Sequence, residues 1–283
     1  MTRYLYYPGC TLKSTATAYE QSAYAVAEAL GFQLVELERW NCCGVVYGMA
    51  EDAIIHHVGA VRNLIRAEAQ AEAIGSRDLV VLCSMCFNVL RRVHLLLNER
   101  SDIREKLTRF LDDEPPYQGV VRVRHLLEVL RDDVGVDRIQ QAVARSLSGL
   151  RIATYYGCTL LRPKGIGIDD PENPTVLEAL VAATGATSID HPMKIECCGS
   201  YQVVTNPDAV TNRVRQILTP LARHTPHLIV TACPLCHHNL LLTHQKDPRT
   251  PTPAYITELL AYAFGRSEAV SPEVRQRIES VTS

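Results

Sequence analysis

A chain of 283 residues with 47% hydrophobic and 21% charged residues can build one large soluble domain or two ordinary ones, each with its own core. Its net charge of −2 argues against a nucleic-acid binder or a polybasic membrane anchor. No segment has the roughly 18 unbroken apolar residues of a membrane span.

The opening MTRYLYYPGC lacks the charged start and long apolar run of a signal peptide. The expectation is therefore a cytoplasmic protein, peripheral to a membrane only through partners. In that reducing compartment, ten cysteines call for metal or redox chemistry.

In chain order, a short strand over 4–7 runs into Cys10, and an alanine-rich helix over 16–30 stops at Gly31. A strand over 33–37 leads to the C-C-G turn at 42–44, and a helix over 52–74 follows. An apolar strand over 79–82 then enters C-x-x-C at 83–86. A polar, helix-like stretch over 131–150 follows, and the order repeats: strand 152–156, Cys158, helix 174–184 stopping at Gly185, strand 187–190, C-C-G at 197–199, helix 207–224, strand 228–232, C-x-x-C at 233–236. The flanks match too: YLYYPGC with IATYYGC, WNCCGVVYG with IECCGSYQV, LVVLCSMCFNVL with LIVTACPLCHHNLL, and HLLEVL with ITELLAYA. The chain thus reads as two copies of one unit, an α/β protein of two pseudo-symmetric domains, 1–149 with a linking helix and 150–283. Each is a small parallel sheet flanked by helices. In such sheets, sites form beyond the carboxyl ends of the strands. There the cysteines of each half converge, and helix N-termini favour an anionic, thiolate-rich group.

The cysteines form two sets of five: Cys10, Cys42, Cys43, Cys83 and Cys86, then Cys158, Cys197, Cys198, Cys233 and Cys236. Disulfides suit neither the compartment nor the vicinal pairs. Zinc takes four ligands and leaves one cysteine over in each half, at the same place. Iron–sulfur binding fits best, because several irons can share five soft thiolates. Glycine at 44 and 199 lets the backbone turn tightly against a cluster.

The tandem C…CCG…C-x-x-C pattern resembles the cysteine-rich CCG domain, and over essentially the whole chain it resembles the B subunit of heterodisulfide reductase; VRHLLEVLRDDVGVDRI is similar to the end of that family's first domain. The resemblance implies a noncubane [4Fe–4S] cluster on each five-cysteine set, with a disulfide split or formed between the two clusters. No ferredoxin-type cysteine run, dinucleotide fingerprint or flavin fingerprint occurs, so electrons must come from another chain. The resemblance implies a ferredoxin-like C subunit backed by a flavin-containing A subunit. The disulfide is a small molecule or protein-bound. Thr159 after Cys158, where histidine is expected, and VVYG after the first C-C-G depart from the methanogen pattern and leave its identity open. The same tandem domain resembles an electron-transfer or anchor subunit of succinate or fumarate reductases and other quinone-linked systems, which gives the alternative function.

Among other residues, Lys13, Arg162 and Lys164 follow the first cysteine of each half and are candidates for the anionic end of a substrate, against a plain surface role. His237 and His238 are candidate proton donors to the thiols released, against a capping or surface pair. His125 reads as a packing residue. Tyr6, Tyr7, Tyr155, Tyr156 and Trp40 read as shields for a cluster or as strand packing.

Overall fold

The computed structural model describes residues 1–45 and 53–282. The VVYG departure, beyond Val45, and the expected helix start at Asp52 lie outside the described residues.

The first half runs β1 (Thr2–Tyr7), α1 (Thr17–Leu30), β2 (Phe32–Glu36), α2 (Val58–Ile74), β3 (Asp78–Val81), α3 (Ser84–Glu99) and β4 (Arg122–His125). The second runs β5 (Arg151–Tyr155), α4 (Val176–Ala183), β6 (Thr187–Ile189), α5 (Pro207–Leu218), β7 (Leu228–Thr231), α6 (Pro234–Lys246), β8 (Thr252–Tyr255) and α7 (Ile256–Ala263). All pairings are parallel, with strand orders β2-β1-β3-β4 and β6-β5-β7-β8. The expected α/β halves are thus present, each with a fourth strand beyond the three read from the sequence. In this order the chain reverses direction across the sheet between β1 and β3, and between β5 and β7. A crevice opens there at the strands' carboxyl ends, where Cys10 and the C-x-x-C motifs follow.

β3 and β7 are buried along their whole length, as DLVV and LIVT must be when helices cover both faces. β8 carries Pro253, which removes a ladder donor and is tolerated because β8 is an edge strand. The two halves share one continuous apolar core. α1 packs on α7, where Ser22 and Thr257 share a hydrogen bond of 2.7 Å. The Tyr19 and Tyr255 rings stack at 4.3 Å, with 3° between their planes. The Arg138 guanidinium, in the stretch that joins the halves, donates to the Leu30 carbonyl at the end of α1.

Candidate metal centre

Each first cysteine follows its half's first strand, each vicinal pair follows the second, and each C-x-x-C opens the helix after the third. Cys83 and Cys233 are the N-caps of α3 and α6. The inner sulfurs, Cys43, Cys83, Cys86, Cys198, Cys233 and Cys236, are buried; Cys10, Cys42 and Cys197 are exposed and Cys158 half-buried. All ten are free thiols. Cys43 and Cys86 Sγ lie 3.4 Å apart. Close thiol–thiol pairings further join Cys10 to Cys42, Cys42 to Cys43, and Cys83 to Cys86. In the second half they join Cys158 to Cys197, Cys198 to Cys236, and Cys233 to Cys236. One more contact, Cys83 to Cys233, crosses between the halves. The sulfurs lie pairwise along a seam, and among the described residues no three His, Cys, Asp or Glu side chains close on one point as a single-ion cage.

The local backbone suits an all-sulfur group. Gly44 and Gly199 have φ of +76° and +93°, the turn that a side chain would resist. A Cβ at Gly157 would lie 2.9 Å from Cys236 Sγ, and one at Gly9 3.2 Å from Cys86 Sγ, so both loops lie tight against sulfur. Amide donors point at the thiols: Gly199 N–H to Cys197 Sγ, Ser200 N–H to Cys198 Sγ and Asn239 Nδ2 to Cys198 Sγ, each 3.4 Å. In the first set, the Gly44 and Val45 amides donate to Cys42. The hydrogen bond from Cys10 holds Cys42 far below the usual thiol range and pushes Cys10 up. The bond from Cys158 likewise brings Cys197 down to about 6. Soft donors of this number with N–H···S support fit iron–sulfur ligation.

The tyrosines beside each first cysteine, and Trp40, tie down the backbone and neighbouring carboxylates, while Asn63, Tyr19 and Ser84 are supports the sequence did not single out. Tyr7 donates to the Asn41 carbonyl at 2.8 Å and Tyr155 to the Glu196 carbonyl at 2.6 Å, each just before a vicinal pair. Buried Asn63 accepts from Asn41 N–H and donates to its carbonyl, both at 2.9 Å. Tyr6 donates to Glu20, Tyr156 to Glu178, and Trp40 to Glu36. At the seam, Tyr19 donates to the Leu82 carbonyl at 2.9 Å and the Ala232 carbonyl at 3.4 Å, and Ser84 donates to Ala232 at 2.8 Å. A buried aromatic or amide in a helix leaves no mark in one sequence that separates it from ordinary packing.

Of the remaining candidates, Lys13 sits 2.8 Å from Glu20 and 2.6 Å from Glu36. Arg162 donates to the Ile195 and Pro171 carbonyls and to Glu172, all at 3.0–3.1 Å. Exposed Lys164 lines an open hollow beside Cys158. His237 stacks on Tyr255, and burial brings it down to about 4, so its ring is neutral at neutral pH; His238 is exposed. His125 is fully buried, as its packing reading expects.

A repeated half-unit with a C…CCG…C-x-x-C sulfur set at its crevice defines a class. The cysteine-rich domain family, CCG, matches residues 4–91 and again 152–241, and the chain belongs to that family. It is 32% identical over 272 residues to the 8-methylmenaquinol:fumarate reductase membrane anchor subunit of Wolinella succinogenes, covering 93% of this chain and 92% of that one. It is 28% identical to a protein of Archaeoglobus profundus that is itself named as like the B subunit of heterodisulfide reductase, over 83% of this chain and 80% of that one. It is 26% identical to the B subunit of the ferredoxin/F420H2-dependent CoB-CoM heterodisulfide reductase of Methanosarcina acetivorans, over 84% and 79%. A hypothetical protein from Helicobacter pylori has the same fold, with a TM-score of 0.70 at 10% identity, covering 98% of this chain and 51% of that one. Among the described residues no helix is long and apolar enough to cross a membrane.

Proposed function

We propose that this chain is the two-cluster subunit of a heterodisulfide-reductase-type oxidoreductase complex, acting on a small-molecule or protein-bound disulfide. Cys10, Cys42, Cys43, Cys83 and Cys86 would hold one noncubane [4Fe–4S] cluster, and Cys158, Cys197, Cys198, Cys233 and Cys236 the other. The division at 149/150 gives each half one set. The observation that carries this reading is the Cys83–Cys233 contact, which brings two like sulfur sets together at one seam. Two one-electron centres supply the two electrons that an S–S bond takes up when it splits. The chain's own residues exclude water from the inner six sulfurs, aim amides at Cys42, Cys197 and Cys198, and leave Cys10, Cys42 and Cys197 facing outward. A ferredoxin-like subunit, with a flavin-containing subunit behind it, is the proposed electron supply; the relatives are themselves named as subunits.

The test is anaerobic purification with iron and sulfide analysis, where about eight of each per chain is expected, followed by turnover with reduced viologen and candidate disulfides. An iron-loaded protein that releases no thiol from any of them would rule out the catalytic reading.

A second reading is the anchor or electron-transfer subunit of a quinol-linked fumarate or succinate reductase. The match to the Wolinella anchor subunit along nearly the full length of both chains favours it. Co-purification with a fumarate or succinate reductase flavoprotein would support it; association only with a ferredoxin-like chain would oppose it.

A further inference from the structure

The seam between the halves is closed on one side and open on the other. Each half's first-cysteine loop faces the C-x-x-C helix of the opposite half. On the closed side, Asn88 of α3 reaches across and donates to the Thr159 carbonyl at 2.6 Å and the Arg162 carbonyl at 2.8 Å. On the open side there is a cavity of about 560 Å³. Its walls include Thr11, next to Cys10, and Pro234 and Leu235, inside the second C-x-x-C, so the segments that carry both sulfur sets border it, with no cysteine among its described lining residues.

One wall is aromatic. The rings of His237 and Tyr255 both line the cavity and stack at 4.2 Å. Tyr255 continues the stack onto Tyr19, whose hydroxyl bonds the carbonyls just before Cys83 and Cys233. Val204, 81% exposed, carries the apolar lining out to solvent. Among the described residues that line the cavity there is no lysine or arginine, whereas Glu258 and Glu273 are present. An anionic thiol compound would meet no fixed cation there, only the imidazoles of His237, His238 and His244, and two carboxyl groups.

We infer that this cavity binds a quinone-type ring: flat, largely apolar, with two ring oxygens and an apolar tail that leaves past Val204. The inference rests on the quinol-linked reading above and deepens it. The volume suits a small ligand, the His237 ring at the end of the stack is the one left for face-on stacking, and at the rim His238 can donate to a ring carbonyl while Glu273 can accept from a ring hydroxyl once the ring is reduced.

The test is calorimetric titration of the anaerobically purified, cluster-loaded protein with a short-tailed menaquinone. Saturable binding is expected, weakened about tenfold or more by Val204→Glu and by Leu241→Glu, with iron and sulfide contents unchanged. Absence of saturable binding, or binding indifferent to both substitutions, would overturn the inference. So would displacement of the quinone by a small anionic disulfide, which would assign the cavity to the disulfide reading. If the quinone binds as expected but no fumarate or succinate reductase flavoprotein co-purifies, the cavity assignment stands and the anchor reading falls.

Discussion

The two halves share a backbone plan and differ in what stands at the seam. In both, the strand order, a positive-φ glycine before the first cysteine and a tyrosine tied to the residue before C-C-G recur. Both end their fourth strand in a helix cap closed by glutamate: Glu128 accepts from His125 N–H and Glu258 from Tyr255 N–H, each at 2.9 Å. The capping residue itself has diverged to histidine in one half and tyrosine in the other. The first-cysteine loop is short in the first half. In the second it extends through 158–175, held by Arg162 on the Pro171 carbonyl and by Asp169 on the Thr175 and Val176 amides. Sulfur placement is therefore the repeated part, and the crevice between the halves is the part that differs. One side of the seam is sealed by Asn88 and the other left open.

The largest expected effect breaks the repeat itself. On the proposed assignment of one cluster to each set, Cys43→Ser and Cys198→Ser should each remove about half of the bound iron and sulfide. Analysis of both variants checks this. If either substitution emptied the whole protein, the Cys83–Cys233 contact would join the sets into one unit rather than two. A smaller effect sharpens the comparison at the first-cysteine loops. Gly9→Ala and Gly157→Ala both force a side chain onto a positive φ, +72° and +67°, at a cost of about 1–2 kcal/mol. The added Cβ would lie closer to sulfur at 157 than at 9, 2.9 Å against 3.2 Å. Gly157→Ala should therefore lower both the melting temperature and the iron content more than Gly9→Ala does. The reverse order would mean that the two loops do not cradle their sulfurs alike.

Much of the frame was legible because it follows from local pattern. Period and apolar runs place β1 to β3 and β5 to β7, and Cys, C-C-G and C-x-x-C land at the strand ends as parallel topology requires. β4 and β8 escaped because RVRH is short and charged and TPAY contains a proline, neither of which reads as a strand until a neighbour pairs with it. The seam escaped for a different reason. Tyr19 meets Ala232, and Asn88 meets Thr159, across 213 and 71 residues. No periodicity within one segment encodes such a contact. The partners of Arg162 escaped in the same way: its guanidinium holds the Ile195 and Pro171 carbonyls and Glu172, contacts that no local pattern encodes.

Asn88→Ala tests the sealed side. It removes two hydrogen bonds to buried carbonyls and should cost about 1–2 kcal/mol in thermal or denaturant unfolding. The cost stays at this level because Asn88 Oδ1 already lacks a partner. A loss below a few tenths of a kcal/mol would mean that the seam is held by packing alone and that its closure owes nothing to the asparagine.

The smallest expected effect isolates the diverged cap. His125 Nε2–H donates to the Leu82 carbonyl at 2.8 Å, and its Nδ1 accepts from Leu127 N–H at 3.2 Å, so the neutral ring satisfies both nitrogens. The groups around it are the Leu82 and Ala232 carbonyls, the Leu127 amide, the Glu128 carboxylate on its own amide, and the Phe87 ring edge-on at 5.5 Å. A proton on Nδ1 would face the Leu127 amide donor, and burial brings the group from 6.5 down to about 4. The folded chain then binds this proton less readily than the unfolded chain does. The associated stability is complete above about pH 6.5 and is lost as pH falls towards 4, by about 1 kcal/mol between pH 7.5 and 5.5. Tyr255, the matching cap, does not titrate in that range. His125→Asn keeps a side-chain oxygen to cap Leu127 but carries no titratable group. Its melting temperature should therefore fall less than the parent's between pH 7.5 and 5.5, while every other histidine contributes equally to both proteins. Equal slopes would show that the acid sensitivity lies elsewhere and that the His125-for-Tyr255 exchange is neutral to folding.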